Sequence, residues 1–317
     1  MRYLSRELSG LRVGLTNRNM FIITHRRIFT AISLVLVALS LVSVFMYGLN
    51  YSIDFTGGSV LEVSYPDGRP NISEIEEVTQ AVVESDDILV RPVGDVGYSI
   101  RVPFFSGDGE RVALIETLSE NHPDLVEEKV SSIGPVIGQE LKGKALSAIV
   151  IVVIVIVLFV AFSFRKVSKP VSAWWYGFIA IVALIHDIII PLGAFSFFQF
   201  DVDVLFVTAL LAILGYSVND TIVVFDRIRE NLRHNRDLHI KESFDKTVGQ
   251  SITQTIGRSV NTSLTTLITL CTLLILTGSS IHHFIIALLV GVVAGTYSSI
   301  FLASPFLVFV YSWKTKK

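Results

Sequence analysis

Six long apolar segments dominate the pattern of hydrophobic and polar positions along the 317-residue chain. Each comes close to the about 20 apolar residues that a helix needs to cross the hydrocarbon core of a bilayer. The segments are Ile28–Gly48, Ala145–Phe164, Ala173–Phe195, Asp203–Phe225, Val260–Gly278 and Phe284–Tyr311. They predict an α-helical polytopic membrane protein whose six transmembrane helices lie in a lipid bilayer.

The amino-acid composition agrees with a membrane location. Hydrophobic residues make up 51% of the chain, and the mean hydropathy is +0.61. The first apolar segment is too long for a secretory signal peptide and lacks a small-residue cleavage site before Tyr51, so we expect a retained anchor. Cys271 is the single cysteine, which excludes an intrachain disulfide.

Charged residues are sorted along the chain. Residues 49–142 hold 18 acidic and 6 basic side chains, a net charge of −12, and the remainder carries +10. Lys and Arg recur in the segments 1–27, 165–169, 226–258 and 314–317, but not in the connections 196–202 and 279–283. The positive-inside rule therefore predicts a multi-pass protein of the cell inner membrane with both termini in the cytoplasm.

This topology predicts five regions: a cytoplasmic N-terminal segment (1–27), transmembrane helix 1 (28–48), an extracytoplasmic α+β domain (49–142), helices 2–6 with a cytoplasmic loop at 226–258 (143–313), and a cytoplasmic tail (314–317).

The extracytoplasmic domain has the pattern of a small α+β fold. Alternating positions and turn residues predict four strands, at Val60–Tyr65, Ile88–Val93, Tyr98–Pro103 and Leu125–Ser131. A capping box of Ser73 and Glu76 predicts the start of one helix, and a second is expected at Val112–Leu118. The order β-α-β-β-α-β is typical of a ferredoxin-like sandwich.

The fourth apolar segment carries a carboxylate, Asp220, behind Ser217 and Asn219. An ionisable side chain in hydrocarbon costs roughly 2.5–3.5 kcal/mol, so it is expected to be paired, wetted or used to move charge. Arg258 heads the fifth segment, which runs in the opposite direction, so the two residues are predicted at similar depth. Two interpretations stay open: a proton-binding site and a static structural ion pair.

Polar residues follow Arg258 at helical spacing along the fifth segment. Asn261, Thr262, Thr265, Thr266, Thr269 and Thr272 fall on one broad stripe. The stripe fits a polar track that faces protein or water and carries protons to Asp220. Ordinary interhelical hydrogen bonding is the alternative, because Ser and Thr also serve as packing residues in membranes.

The third segment holds a second carboxylate, Asp187, directly after His186. Neighbours on a helix are about 100° apart and need not touch each other. We expect Asp187 in the outer half of its span, at a different depth from Asp220. A second proton-relay station, a satisfied packing group and a group facing a partner subunit remain open.

Two glycine motifs stand out elsewhere. The motif Asp54-Phe55-Thr56-Gly57-Gly58 follows the first span, and the residues alone favour a tight turn in which Asp54 accepts backbone N–H groups. Gly57 and Gly58 are also hinge candidates, because glycine absorbs large dihedral changes. In the sixth segment, small residues recur every four positions and predict a tight packing face for a partner chain: Gly291, Gly295, Ser299 and Ala303.

Several of these motifs resemble the SecF family of the resistance-nodulation-division superfamily. They are Gly48–Gly58 (GLNYSIDFTGG), Gly134–Gly138 (GPVIG), His186-Asp187, Gly215–Asn231 (GYSVNDTIVVFDRIREN), and Arg258 with Asn261–Leu267 (NTSLTTL). The resemblance spans nearly the whole chain, in order.

The resemblance implies a subunit of the accessory Sec translocase complex. Such a chain pairs with a SecD-like subunit, works beside the SecYEG channel, and uses the proton-motive force to draw unfolded secretory polypeptides outward. It further implies that Asp220 and Arg258 lie on the proton pathway. We expect no bound cofactor, metal or nucleic acid, and no enzymatic activity.

Two other functions are compatible with parts of the sequence. A half-size proton-driven exporter of small molecules or lipids from the same superfamily would be expected to carry a larger or duplicated external domain. An intramembrane aspartyl protease would use Asp187 and Asp220 as a dyad sharing one proton. The predicted difference in depth between the two carboxylates argues against the protease.

Overall fold

The computed structural model describes residues 20–105, 107–164, 171–278 and 281–315. Within these ranges six helices are long and apolar enough to cross a membrane, which confirms the predicted number of spans. Most of the predicted segment 1–27, the basic connection at 165–169 and the last two residues of the tail lie outside the described residues.

The chain divides into two compact units. The membrane unit comprises the described parts of Met1–Leu49, Ala148–Phe200 and Leu205–Lys317. The α+β unit comprises Asn50–Ser147 together with Asp201–Val204. In chain order the elements are α1 (Arg26–Tyr47), β1 (Asn50–Tyr51), α2 (Ile53–Thr56), β2 (Gly58–Ser64), α3 (Ile72–Val83), β3 (Leu89–Val93), β4 (Gly97–Val102), α4 (Asp108–Asn121), β5 (Val126–Ile133), α5 (Pro135–Ser163), α6 (Ala173–Phe198), β6 (Asp201–Val202), α7 (Val204–Asp237), α8 (Phe244–Leu276), α9 (His282–Tyr297), a π-helical turn (Ser298–Ala303) and α10 (Ser304–Thr315).

The α+β unit is built on a four-stranded antiparallel sheet with the strand order β3-β4-β2-β5. Helices α3 and α4 connect the strands in the predicted order. Leu61 and Ile100 face each other across the central strand pair. They form the buried core of this unit with Ile75 from α3 and with Leu114 and Leu118 from α4.

Helix α3 begins before the predicted capping box. Asn71 is the N-cap residue, and its side chain accepts a hydrogen bond from the N–H of Ser73 at 3.1 Å. Ser73 therefore lies inside the first turn, and the predicted box of Ser73 and Glu76 is wrong. Asn ranks with Asp and Ser as a preferred N-cap residue, which explains why the earlier position is used.

The fourth and fifth spans extend well past their apolar segments. Helix α7 continues to Asp237 and α8 begins at Phe244, so most of the predicted loop at 226–258 is helical. No glycine or proline interrupts residues 226–237. Ion pairs three residues apart, Arg227 with Glu230 and Arg229 with Asp226, support the extension of α7.

The sixth span contains a π-helical turn at Ser298–Ala303. Pro305 follows this turn inside the same span; it has no N–H and its ring crowds the carbonyl one turn earlier, which explains the local widening. The turn places Ser298 and Ser299 in the buried interior of the membrane unit. Turns of this kind are frequent at functional sites.

The small-residue ridge of the sixth span packs against the chain's own fourth span. A Cβ atom added at Gly291 would lie 2.1 Å from Cδ1 of Ile213, and one added at Gly295 would lie 2.9 Å from Cβ of Ser217. At these two glycines the ridge therefore packs against α7 of the same chain. The prediction that it serves a partner chain is wrong for Gly291 and Gly295, because the same spacing suits packing within one chain.

Glu242, in the short connection between α7 and α8, links the connection to both helices through side-chain hydrogen bonds. Its carboxylate accepts hydrogen bonds from Asn235 at 3.1 Å, Gln250 at 3.0 Å and Lys246 at 3.0 Å. Burial raises the pKa of this carboxyl, but the hydrogen bonds from Lys246 and Asn235 outweigh burial and hold the pKa below its ordinary value.

We therefore expect Glu242→Gln to speed amide hydrogen exchange in residues 238–247 roughly 5-fold at neutral pH, since about 1 kcal/mol of local stability is lost. Because the folded pKa lies below the unfolded value of about 4.3, the stabilisation is complete above that pH and disappears as the pH falls through the folded pKa. Exchange of the two proteins should converge in acid. Glu230→Gln on the exposed helix surface is the control, and an equal effect there would contradict the assignment.

Candidate functional site

Asp187 of α6 is fully buried inside the membrane unit, and hydrogen-bond donors surround it. Its Oδ1 lies 2.9 Å from Nδ1 of His186. Its Oδ2 accepts a hydrogen bond from the Ser298 hydroxyl at 2.9 Å and another from the Ser217 hydroxyl. Donors from α6, α7 and the sixth span thus meet at one carboxylate, which offsets the cost of burying it. His186 and Asp187 do touch, although neighbours on a helix need not.

Asp220 of α7 lies in the same interior and is partly buried. Its Oδ1 accepts a hydrogen bond from the hydroxyl of Ser259, on α8. Its Oδ2 accepts one from the hydroxyl of Ser299, in the π-helical turn. Asp220 is therefore held by neutral hydroxyl groups from two neighbouring spans.

The two carboxylates lie close to the same depth. Consecutive residues, Ser298 and Ser299, donate to Asp187 and Asp220 respectively. Ser217, which also binds Asp187, precedes Asp220 by less than one turn of α7. The predicted difference in depth is therefore wrong. Counting residues from the ends of each span cannot reveal how neighbouring helices are displaced along their axes.

Arg258 and Asn219 do not contact Asp220 in this structure. The Arg258 side chain is exposed, and the described residues show no ion pair between it and Asp220. Asn219 is also exposed on α7. Arg258 directly precedes Ser259, whose hydroxyl binds Asp220, so the cation is one residue away from the carboxylate's partner. The static ion pair considered from the sequence is not formed.

The predicted threonine stripe lies on the exposed face of α8. Asn261, Thr262, Thr265 and Thr269 are all exposed. The threonine hydroxyls donate to carbonyl groups of their own helix: Thr262 to Arg258 at 2.9 Å, Thr265 to Thr262 at 2.8 Å, and Thr269 to Thr265 at 3.0 Å. The stripe is therefore a polar outer face of the membrane unit, not an interior track beside Asp220.

A second row of hydroxyl residues on α8 faces the interior, and sequence reasoning missed it. These residues recur every four positions and are all buried: Thr247, Ser251, Thr255, Ser259 and Ser263. Ser263 lies 2.6 Å from the Thr296 hydroxyl and accepts a hydrogen bond from Tyr216 at 3.0 Å. The four-residue spacing was visible in the sequence, but the threonine stripe beside it gave the stronger pattern.

Asp54 binds the start of the fourth span. Its Oδ2 accepts the N–H of Val204, the first residue of α7, at 3.0 Å. The first N–H groups of a helix have no partner within the helix, and a carboxylate also favours the positive end of the helix dipole. Asp54 therefore caps a helix distant in sequence, rather than serving only the local turn.

Pairing between β1 and β6 supports this cap. The two short strands are parallel, with Asn50 opposite Asp201 and Tyr51 opposite Val202. Arg91 forms an ion pair with Asp201 at 3.1 Å. All of these residues belong to the α+β unit, which thus includes the residues that lead into α7.

Gly57 and Gly58 are required where they stand. Both have positive φ angles, +75° and +120°, which non-glycine residues rarely adopt. A Cβ atom at Gly57 would lie 2.7 Å from Cα of Pro135, and one at Gly58 would lie 2.9 Å from the carbonyl oxygen of Val102. The motif is a closely packed turn. Its use as a hinge stays a prediction.

Across the described residues, no group of three or more His, Cys, Asp or Glu side chains is arranged to hold a metal ion. The candidate functional residues of the membrane unit are two hydroxyl-bound carboxylates, a buried histidine and a nearby exposed arginine.

Two sequence-family profiles match the chain. The profile "Protein export membrane protein SecD/SecF, C-terminal" matches residues 113–313, and the profile "SecD/SecF GG Motif" matches residues 42–65. The first match contains both carboxylates, Asp187 and Asp220. The second contains Asp54 and the glycine pair.

Curated relatives match over nearly their full length. Protein translocase subunit SecF of Thermobaculum terrenum is 38% identical over 312 residues, covering 93% of this chain and 94% of the relative. Protein translocase subunit SecF of Pseudomonas aeruginosa is 34% identical over 290 residues, covering 90% of this chain and 89% of the relative.

Solved structures of SecDF share the fold. The crystal structure of SecDF, a translocon-associated membrane protein from Thermus thermophilus, aligns with a TM-score of 0.79 at 34% identity and covers 95% of this chain. SecDF in its super-membrane-facing form aligns with a TM-score of 0.65 at 34% identity. The chain spans 39% of the length of each SecDF chain.

We expect Asp54→Ala to speed hydrogen exchange of the first-turn amides of α7 about 10-fold, since loss of a helix cap costs about 1 kcal/mol and loss of a charged acceptor somewhat more. Asp54→Asn keeps an acceptor oxygen and should have a smaller effect. Asp95→Ala, in an exposed turn of the same unit, is the control. Unchanged exchange at Val204 in Asp54→Ala would show that the cap does not stabilise this end of α7.

Proposed function

The chain belongs to the SecF family of protein translocase subunits, and on that premise we propose that it couples the proton-motive force to polypeptide export through the SecYEG channel. A SecF subunit is part of the SecDF translocase and pairs with SecD. The observation that carries the proposal is Asp220, a carboxylate inside a membrane span that is held only by hydroxyl groups in the described structure.

Asp220 has the chemistry that a proton-binding site in a membrane needs. One proton charge that crosses the membrane field releases roughly 2.3 kcal/mol per 100 mV. To use that energy, a group must bind the proton from one side and release it to the other. A serine hydroxyl can donate to an ionised carboxylate and can accept from a protonated one, so Ser259 and Ser299 suit both states of Asp220.

Arg258 acts in this proposal as a movable counter-charge. Its guanidinium stays protonated at all relevant pH values and cannot itself relay a proton. It pairs with Asp220 when the carboxylate is ionised and leaves when the carboxylate is protonated. Its exposed position next to Ser259 supports this role, because a small movement of α8 would shift Arg258 together with the Ser259 hydroxyl that binds Asp220. Asp187 is the second station of the pathway, and Asn219 is a further pathway residue in this proposal.

The distribution of charge supports the orientation of the chain. In this proposal both termini and the α7–α8 connection lie in the cytoplasm and residues 49–142 lie outside the inner membrane, as the positive-inside rule predicts. The strand order β3-β4-β2-β5 supports a ferredoxin-like extracytoplasmic domain.

A cavity in the α+β unit supports contact with unfolded secretory polypeptide. It measures about 470 Å³ and is lined by both apolar and polar side chains, including Tyr51, Leu89, Phe104 and Arg101. Such a surface can bind extended chains weakly and without strict sequence preference.

The exposed polar face of α8 supports the proposed site of contact with the SecD-like subunit. Arg258, Asn261 and the threonines lie on the outside of this chain. Polar groups exposed to lipid are unfavourable, and helix contacts or water-filled cavities are where they are tolerated.

The other functions fit less well. The matched relatives are protein translocase subunits, which disfavours a small-molecule or lipid exporter and an enzyme. For a protease dyad the two carboxylates must share one proton. Asp187 and Asp220 instead bind different serine hydroxyls, although their similar depth removes the earlier argument against a dyad.

Asp220→Asn should abolish the gradient-dependent part of export in the assembled complex while leaving assembly intact, because the amide cannot bind and release a proton. Arg258→Lys should retain part of the activity, since an ammonium keeps the charge but lacks the planar fork of the guanidinium. The measurement is export into membrane vesicles with and without an imposed proton gradient.

Asp226→Asn is the matched control, because Asp226 lies on the same helix but is exposed and paired with Arg229. Wild-type, gradient-dependent export by a correctly assembled Asp220→Asn complex would contradict the proposed mechanism.

A cysteine at Thr265 should form a cross-link to the SecD-like subunit within the membrane, in a background where the exposed Cys271 is replaced by serine. A cysteine at Leu158 is the comparison, because that exposed residue lies on the apolar second span and is expected to face lipid. Equal cross-linking at both positions, or none at Thr265, would argue against contact through the threonine stripe.

A further inference from the structure

His186 is a buried titratable residue to which the proposed mechanism has so far given no role. Its side chain is only 3% exposed, and its Nδ1 lies 2.9 Å from Oδ1 of Asp187. Its other ring nitrogen, Nε2, is buried and has no hydrogen-bond partner among the described residues. Buried polar atoms normally have partners, so an orphaned ring nitrogen here calls for a functional reason.

The contacts of His186 determine which of its two ring nitrogens can bind a proton. When Asp187 is ionised, Nδ1 carries a hydrogen and donates it to the carboxylate, which leaves Nε2 with a free lone pair. Asp187 Oδ2 accepts hydrogen bonds from Ser217 and Ser298, so both oxygens of the carboxylate have partners. The ring is thus held rigidly with its basic atom unoccupied.

The neighbouring groups would stabilise a charged ring. Asp187 on the same helix and Tyr297 on the sixth span are the titratable side chains that contact His186. The Tyr297 ring is stacked nearly parallel to the imidazole, with centroids 6.3 Å apart and planes inclined by 18°. Its hydroxyl donates to the carbonyl of Phe29 at 2.8 Å and so points to the first span. An imidazolium here would be paired with Asp187 and would lie near the face of an aromatic ring.

The site is connected to Asp220 through the π-helical turn. Ser298 binds Asp187 and Ser299 binds Asp220, and the two serines are adjacent in the chain. A change in the charge of either carboxylate alters the hydrogen bond that its serine makes. The two serines are joined by one peptide bond. A movement of one serine therefore also changes the hydrogen bond between the other serine and its carboxylate.

We propose that Nε2 of His186 is a second proton-binding site of the transport unit, with Asp187 as its counter-ion, coupled to Asp220 through Ser298 and Ser299. This inference rests on the proposed function. The proton adds to the Nε2 lone pair to form an imidazolium–carboxylate pair, and its departure restores the neutral ring. No other bond forms or breaks.

The test uses ¹⁵N-histidine NMR of the assembled complex with the SecD-like subunit in lipid bilayers, recorded over a range of pH. The key variant is His186→Asn, because the asparagine amide can still donate to Asp187 but has no atom that titrates at the position of Nε2. His25→Asn, near the start of the first span, is the matched histidine control.

We expect one histidine signal, absent only from His186→Asn, that changes from a singly to a doubly protonated ring as the pH falls. In Asp220→Asn the pH dependence of this signal should differ from that of the wild type, since a nearby titratable carboxyl group has been removed. A His186 ring that keeps one protonation state throughout would overturn proton binding, and an identical pH dependence in Asp220→Asn would overturn the coupling.

Export provides the second measurement. If His186 only orients Asp187, His186→Asn should export like the wild type, and that result would overturn the proposal. If Nε2 carries a proton, gradient-driven export should fall roughly 10-fold while gradient-independent export is unchanged. Failure of the proposed function is separable, because it would appear as wild-type export in Asp220→Asn whatever His186 does.

Discussion

The membrane unit depends on satisfying the oxygens of two carboxylates inside a bundle of apolar helices. Serine hydroxyls from α7, α8 and the sixth span meet this requirement together with His186 of α6, so the same few hydrogen bonds join four spans. These hydrogen bonds require the sixth span to lie close to α7 and α8. Gly295, which has no side chain, allows the sixth span to approach Ser217 of α7, and the π-helical turn presents Ser298 and Ser299 to the two carboxylates.

Neutral hydroxyl groups are suited to carboxylates that change protonation state. A buried carboxylate fixed by a permanent cation would resist protonation, because a charged partner would be left unpaired. A hydroxyl reverses from donor to acceptor by rotating one bond. Arg258 lies outside this network in the present structure and is close enough in sequence to enter it. Two serine hydroxyls therefore bind Asp220, and a different residue, Arg258, supplies the positive charge that can pair with it.

The sequence predicted the six spans and both membrane carboxylates because ionisable side chains are conspicuous in long apolar segments. It did not predict that Asp187 and Asp220 share a depth, since the displacement of neighbouring helices along their axes depends on their packing and not on the number of residues from the end of each span. Nor could the periodicity of α8 separate the buried serine row from the exposed threonine stripe, because both bear hydroxyls at helical spacing. The contact of Asp54 with Val204 joins residues far apart in sequence, and no local pattern indicates it.

The central claim is that Asp220 binds and releases a proton within the membrane. Infrared difference spectroscopy of the assembled complex across pH tests it most directly, through the C=O stretch of a protonated carboxylic acid. The account predicts a band that appears on acidification, is lost in Asp220→Asn and persists in Asp226→Asn. A wild-type spectrum without such a band, or the same band in Asp220→Asn, would contradict it.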